Sequence, residues 1–312
     1  MRKRLFILLL LPVLLLSGCG QRRSPRVAVC LRQCADSGAV EKLGVLRAVL
    51  TEAGYEVAAL DGEEDQARQT GQVEELLNEG YDLLILEPVM NELAPQLGDM
   101  AQKARVPVIF IGHLPELENW ENMCYIGSHE EEPGTVQPRV LDALSDGGDL
   151  NGDGVVTYGV IAGEEDDVDA ITRTQSLTES MTGQCLEVKY TDWSREQAET
   201  ACGQLLSTYG KDLEVVFCNS DELAIGAAEA MAEGGREVNR TIYLVGLGGD
   251  FQARMLLRSG DLTGTVYLPL EDWSNMILKA AQQLLGKDGA EPLQYGTYIP
   301  LTGDNVEDYI TE

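Results

Sequence analysis

From residue 26 onward, short runs of Val, Ile and Leu alternate with longer stretches in which apolar residues recur every three or four positions. The short runs show no polar alternation, which is the pattern of strands covered on both faces by helices. Strands are predicted at 26–31, 55–60, 81–86, 107–111 and 123–127, with helices between them at 40–53, 66–79 and 91–104. A second set follows, with strands at 157–162, 185–190, 214–218, 241–246 and 264–267 and helices at 168–182, 195–209, 223–233 and 251–259. A last helix at 272–285 and a terminal strand at 296–301 complete the pattern. Two comparable βα sets in succession predict an α/β protein of two doubly wound parallel-sheet lobes. Such sheets take their ligands at the carboxyl ends of the strands, so the cleft between the lobes is the expected site.

The amino terminus departs from this pattern. Arg2, Lys3 and Arg4 precede an apolar stretch at 5–16, and Leu16, Ser17, Gly18 and Cys19 form a small-residue cleavage site that ends in cysteine. The apolar stretch is too short to span a bilayer comfortably. Residues 1–18 are therefore expected to be a removed signal. This leader resembles a bacterial lipoprotein signal, which implies that Cys19 is lipidated, anchors the chain to the membrane and makes residues 19–25 a tether. The plain alternative is an ordinary secretory signal beside an incidental cysteine.

Charge narrows the partners. The chain carries a formal charge of −29, so phosphate backbones and anionic lipid faces should repel it. Nucleic acid is excluded as an expected partner, and membrane attachment is assigned to the lipid alone. Besides Cys19, cysteines at 30, 34, 124, 185, 202 and 218 have neither CxxC nor zinc spacing. Export permits disulfides, but nothing in this spacing demands one.

One short segment carries metal chemistry. Asp149, Asn151, Asp153, Gly154, Val155 and Thr157 occupy positions 1, 3, 5, 6, 7 and 9 of a calcium loop, where side-chain oxygens, a turn glycine, a backbone carbonyl and a further oxygen are needed. Position 12 is Val160, inside a predicted strand, so the bidentate glutamate of an EF-hand is absent from its usual place. The last ligand must come from elsewhere in the chain. The same residue types also build ordinary turns that bind nothing.

Taken over almost its whole length, the chain resembles the type I periplasmic solute-binding proteins of ABC importers, and within them the galactose/glucose-binding branch. The resemblance rests on segments 26–36, 106–115, 149–173, 191–198, 214–229 and 259–266, most specifically on the calcium loop followed by Gly163, Glu164, Asp169, Ala170 and Arg173. It implies that Glu214 completes the calcium site, with Thr157 standing where the branch has glutamine. It further implies a three-segment hinge, with lobe 1 at 26–128 plus 268–298 and lobe 2 at 129–267 plus 299–312. A monomeric, extracytoplasmic receptor that hands a sugar to an ABC permease is the function it implies.

The same resemblance supplies a solute site. Asp36, Asp169 and Arg173 correspond to hydroxyl-binding carboxylates and a bidentate guanidinium, and Trp193 to an indole that stacks on a sugar ring. Asp169 and Arg173 are also spaced as a helix-surface ion pair, and Trp193 as a staple before a helix. Departures are numerous. Gly112, Ser220 and Leu268 replace asparagines, Asp167 a histidine, Gly248 an aspartate and Gly38 an aromatic residue. Each lost partner of a buried hydroxyl is worth roughly 1–3 kcal/mol, so galactose itself is not assured and another small polar solute is admitted. His113, Asp167, Ser220 and Asp250 are the candidate replacements. The competing function is a sensory or interaction lipoprotein with an eroded cleft. Hydrolysis is disfavoured because no nucleophile elbow, zinc-protease motif or Ser/His/Asp set appears.

Overall fold

A computed structural model describes residues 23–34 and 37–310. The expected signal at 1–18, Cys19 and Asp36 lie outside the described residues. No helix among the described residues is long and apolar enough to cross a membrane.

Two six-stranded sheets organise the chain. The first takes β1 (Arg26–Leu31), β2 (Glu56–Asp61), β3 (Leu83–Leu86), β4 (Val108–Phe110), β5 (Met123–Gly127) and β11 (Leu293–Tyr295), all parallel, in the order β11-β5-β4-β3-β1-β2. The second takes β6 (Thr157–Ala162), β7 (Gln184–Tyr190), β8 (Val215–Cys218), β9 (Tyr243–Val245), β10 (Gly264–Tyr267) and β12 (Ile299–Thr302), in the order β12-β10-β9-β8-β6-β7. Only β12 runs antiparallel to its neighbour. The central strands are buried along nearly their whole length, and this burial is why they read as unbroken apolar runs. Edge strands β2 and β7 are partly exposed and carry polar residues.

Helices cover both faces of each sheet. In the first lobe α1 (Ser37–Glu52) and α9 (Leu270–Gly286) pack Leu46, Leu50, Ile277 and Leu284 against one face, while α2 (Gln66–Asn78) and α3 (Ala94–Ala104) pack Val73, Leu76 and Leu97 on the other. In the second lobe α6 (Arg195–Tyr209), α7 (Asp221–Glu233) and α8 (Phe251–Ser259) cover one face. The opposite face holds α5 (Val168–Ser180), α4 (Glu132–Val136) and a 3-10 turn, Gln137–Ala143.

Two sequence expectations need correction. The terminal strand expected at 296–301 is β12, which begins only at Ile299 because the chain crosses between lobes at 296–298, and β11 before it, in the other sheet, was not expected. The expected helix at 91–104 opens as a 3-10 turn, Asn91–Leu93, before α3 begins with proline in its first turn.

The chain passes between the sheets after β5, after β10 and between β11 and β12. These crossings touch one another. The N–H of Gly296 donates to the carbonyl of Gly127 at 2.7 Å, that of Tyr298 donates to Glu132 Oε1 at 3.2 Å, and His129 stacks on Tyr295 with centroids 4.0 Å apart.

Candidate functional site

Strand order reverses beside β1 and β3 in the first lobe and beside β6 and β8 in the second, which opens a crevice at the carboxyl end of each sheet. The residues that follow these strands line the space between the lobes.

From the second lobe, the turn after β6 leads into α5, whose N-cap Asp167 accepts the N–H of Ala170 at 3.0 Å. One turn on, Arg173 Nη2 donates to Asp169 Oδ2 at 3.2 Å, and Nη1 donates to the carbonyl of Asn219 at 3.1 Å, after β8. The second bond sets Arg173 apart from a simple surface pair, because it ties the guanidinium to a neighbouring strand end. The ring of Trp193 lies 5.6 Å from the guanidinium, within cation–π range. Trp193 has a left-handed backbone, φ 66°, and its ring lies over Gly163, where a Cβ would come within 2.0 Å of the indole. Only glycine fits beneath that ring. Ser220 caps α7 by accepting the N–H of Leu223 at 3.2 Å. Asp167 and Ser220 thus serve helix ends in this arrangement.

The first lobe answers with His113, whose Nε2 is 3.8 Å from Asp169 Oδ1 and whose Nδ1 is 3.5 Å from Glu130 Oε1. His113, Asp169, Arg173 and Trp193 are therefore brought together across the cleft. Sequence reasoning overlooked Glu87. It follows β3, its carboxylate is 4.0 Å from Lys42 Nζ, and its side chain fills the room that Gly112 leaves, 3.0 Å from where a Cβ would stand. An acid directly after a four-residue apolar strand was the available signal.

Behind the second lobe's cleft face, Asp221 is buried and accepts Thr265 Oγ1 at 2.6 Å and the N–H of Asp250 at 2.9 Å. Burial, reinforced by the nearby Asp250, pushes its carboxyl up to about 7 despite these bonds. Asp250 itself caps α8 through the N–H of Ala253 at 2.8 Å.

The 149–157 loop is a separate construction. Asp149 accepts N–H groups from Gly152, Asp153 and Gly154, Asn151 from Asp153, and Asp153 from Val155, at 2.8–3.2 Å. Glu214, only 1% exposed, accepts the N–H of Asn151 and that of Thr157, each at 2.9 Å, and Thr157 Oγ1 at 3.1 Å. The single Thr157 hydroxyl proton is shared between Glu214 and the carbonyl of Asp212. Among the described residues, no group of three or more His, Cys, Asp or Glu side chains is gathered to hold a metal. The all-oxygen donor types still suit calcium, and the buried Glu214 carboxylate meets the loop at two of its positions.

Known proteins match most of the chain. The sequence profile described as periplasmic binding protein domain matches residues 44–289. A D-galactose/methyl-galactoside binding periplasmic protein of Haemophilus influenzae is 24% identical over 278 residues, covering 82% of this chain and 83% of the relative. Among solved structures, an ABC transporter periplasmic solute binding protein from Actinobacillus succinogenes with bound D-allose has a TM-score of 0.77 at 15% identity, covering 92% of this chain and all of that one. One from Bacillus halodurans with bound myo-inositol has a TM-score of 0.74 at 20% identity, covering 93% of this chain and 98% of that one. All three are named as binding proteins rather than enzymes, and the two structures share the two-lobe fold.

Proposed function

This chain belongs to the periplasmic binding protein domain family, and from that premise we propose that it is an extracytoplasmic receptor that closes its lobes on a sugar or cyclitol and passes it to an ABC permease. The observation that carries the reading is the group Asp169, Arg173 and Trp193, faced by His113 from the other lobe. A fork of N–H donors, a carboxylate and a flat ring together match a polyhydroxylated ring, which has hydroxyls on its rim and C–H groups on its faces. Glu87 adds an acceptor on the first lobe, where the family asparagine is lost at Gly112. The relatives named for D-galactose, D-allose and myo-inositol support this solute class.

A thermal-shift panel of D-galactose, D-allose, D-ribose and myo-inositol tests the proposal. A solute at about 100 times its Kd stabilises the folded state by ~2.7 kcal/mol, which a melting curve resolves. If the whole panel leaves the melting temperature unmoved, the sugar-receptor reading falls and the sensory or interaction lipoprotein reading takes its place.

Two finer assignments accompany this reading. Calcium is proposed at Asp149, Asn151, Asp153, the Val155 carbonyl, Thr157 and Glu214, as a structural ion that rigidifies the loop. Its support is the oxygen spacing together with the Glu214 carboxylate hydrogen-bonded at residues 151 and 157. Lipidation is proposed at Cys19, supported by the basic, apolar and small-residue order of residues 2–19. Cys19→Ser should move the protein from the membrane fraction to the soluble one, and an unchanged membrane fraction would remove the anchor.

A further inference from the structure

Arg254 stands in α8 with its side chain only 4% exposed, although arginine is rarely buried without a partner. Three of its neighbours belong to its own lobe. Nη1 donates to the carbonyl of Gly249, and the guanidinium lies 5.6 Å from the Tyr267 ring and 6.0 Å from that of Phe251. The fourth neighbour comes from the other lobe. Nη2 donates to Glu41 Oε1 on α1, 213 residues away in sequence. Arg254 Nε is buried without a hydrogen-bond partner, and among the described residues the Glu41 carboxylate is the anion paired with this guanidinium.

Burial separates Arg254, though not Glu41 at 25% exposure, from the solute-facing group. Arg173 and His113 keep 24% and 37% of their side chains exposed, as residues lining a cleft that solvent enters should. Arg254 lines no such space. We propose that Glu41 and Arg254 form a closure latch, a pair of positioning residues that touch no solute but set the balance between open and closed lobes. Since Gly249, Phe251 and Tyr267 hold the guanidinium within the second lobe, much of its desolvation is independent of Glu41, and closing the lobes adds the attraction of a counter-charge at a poorly hydrated site. Opening separates α1 from α8 and replaces the Glu41 carboxylate with water, while the Gly249 carbonyl and the two rings stay in place. A latch of this kind multiplies the apparent affinity for any solute by the fraction of molecules it keeps competent to close.

The proposal rests on the two-lobe receptor reading, but its test needs no solute. Small-angle scattering would compare the wild-type protein with Glu41→Gln and Glu41→Lys, both at a half-buried position on α1 whose replacement leaves the cores intact. The expected result is a radius of gyration that rises from wild type through Glu41→Gln to Glu41→Lys, with unchanged far-UV circular dichroism. Glu41→Lys sets a second cation against Arg254 and should open the lobes most. Equal radii for the three proteins would overturn the latch. A protein that opens on Glu41→Lys yet responds to no sugar keeps the latch and loses the solute assignment, so the two failures are distinguishable.

Discussion

Glu214 Oε1 accepts the backbone N–H of Asn151 at 2.9 Å across 63 residues of sequence, and its second oxygen accepts the N–H of Thr157. One buried carboxylate thereby spans the loop. Glu214→Ala should orphan both donors, costing about 1–3 kcal/mol for each, and should abolish any difference in melting temperature between EGTA and Ca²⁺. If that difference persists undiminished in the variant, Glu214 is not a calcium ligand.

Arg173 offers a way to separate binding from packing. Its pair with Asp169 has the i,i+4 spacing, and exposed pairs of that kind contribute only about 0.3–0.5 kcal/mol. Arg173→Lys keeps the charge but loses the planar fork, so it should erase the solute-induced thermal shift while leaving the solute-free melting temperature nearly unchanged. Wild-type sugar affinity in Arg173→Lys would make the pair merely structural.

Gly163 should tolerate no side chain. Its added Cβ would press within 2.0 Å of the Trp193 ring, and overpacking of this kind costs typically 1–3 kcal/mol. Gly163→Ala is expected to displace the indole, shift intrinsic tryptophan fluorescence and weaken solute binding. An unaltered emission spectrum would mean that the ring is not seated there.

Asp221 should give stability a recognisable pH dependence. Its carboxyl lies at about 7 in the folded protein against an ordinary 3.8, chiefly through burial, so the folded state holds a proton that the unfolded state releases. This group's contribution is therefore full below about pH 4 and is lost as pH rises through 7. Asp221→Asn, measured by urea unfolding between pH 5 and 8, should be less pH-sensitive than the parent by that slope. Parallel profiles for the two proteins would refute the assignment.

Much of the fold was legible because a strand buried on both faces leaves an unbroken apolar run. Strands β5, β6 and β10 were predicted at the bounds the structure has. Residues 132–143 were not assigned, since Pro133, Gly134 and Pro138 interrupt the helical period there. The split at the last crossing also escaped, because Tyr295, Thr297, Tyr298 and Ile299 are strand-favouring residues on both sides of the point where the chain changes lobes.

The sequence by itself determined the α/β alternation, the oxygen spacing of the 149–157 loop and the pairing of Asp169 with Arg173. These are local patterns, recorded in which side of each element meets water and in residues a turn apart. Tertiary structure alone decided that Glu41 meets Arg254, that Glu87 fills the room beside Gly112, and that His113 faces Asp169. Strand order and lobe closure bring those residues together from distant segments, and no periodicity along one segment encodes which remote strand end will lie opposite it.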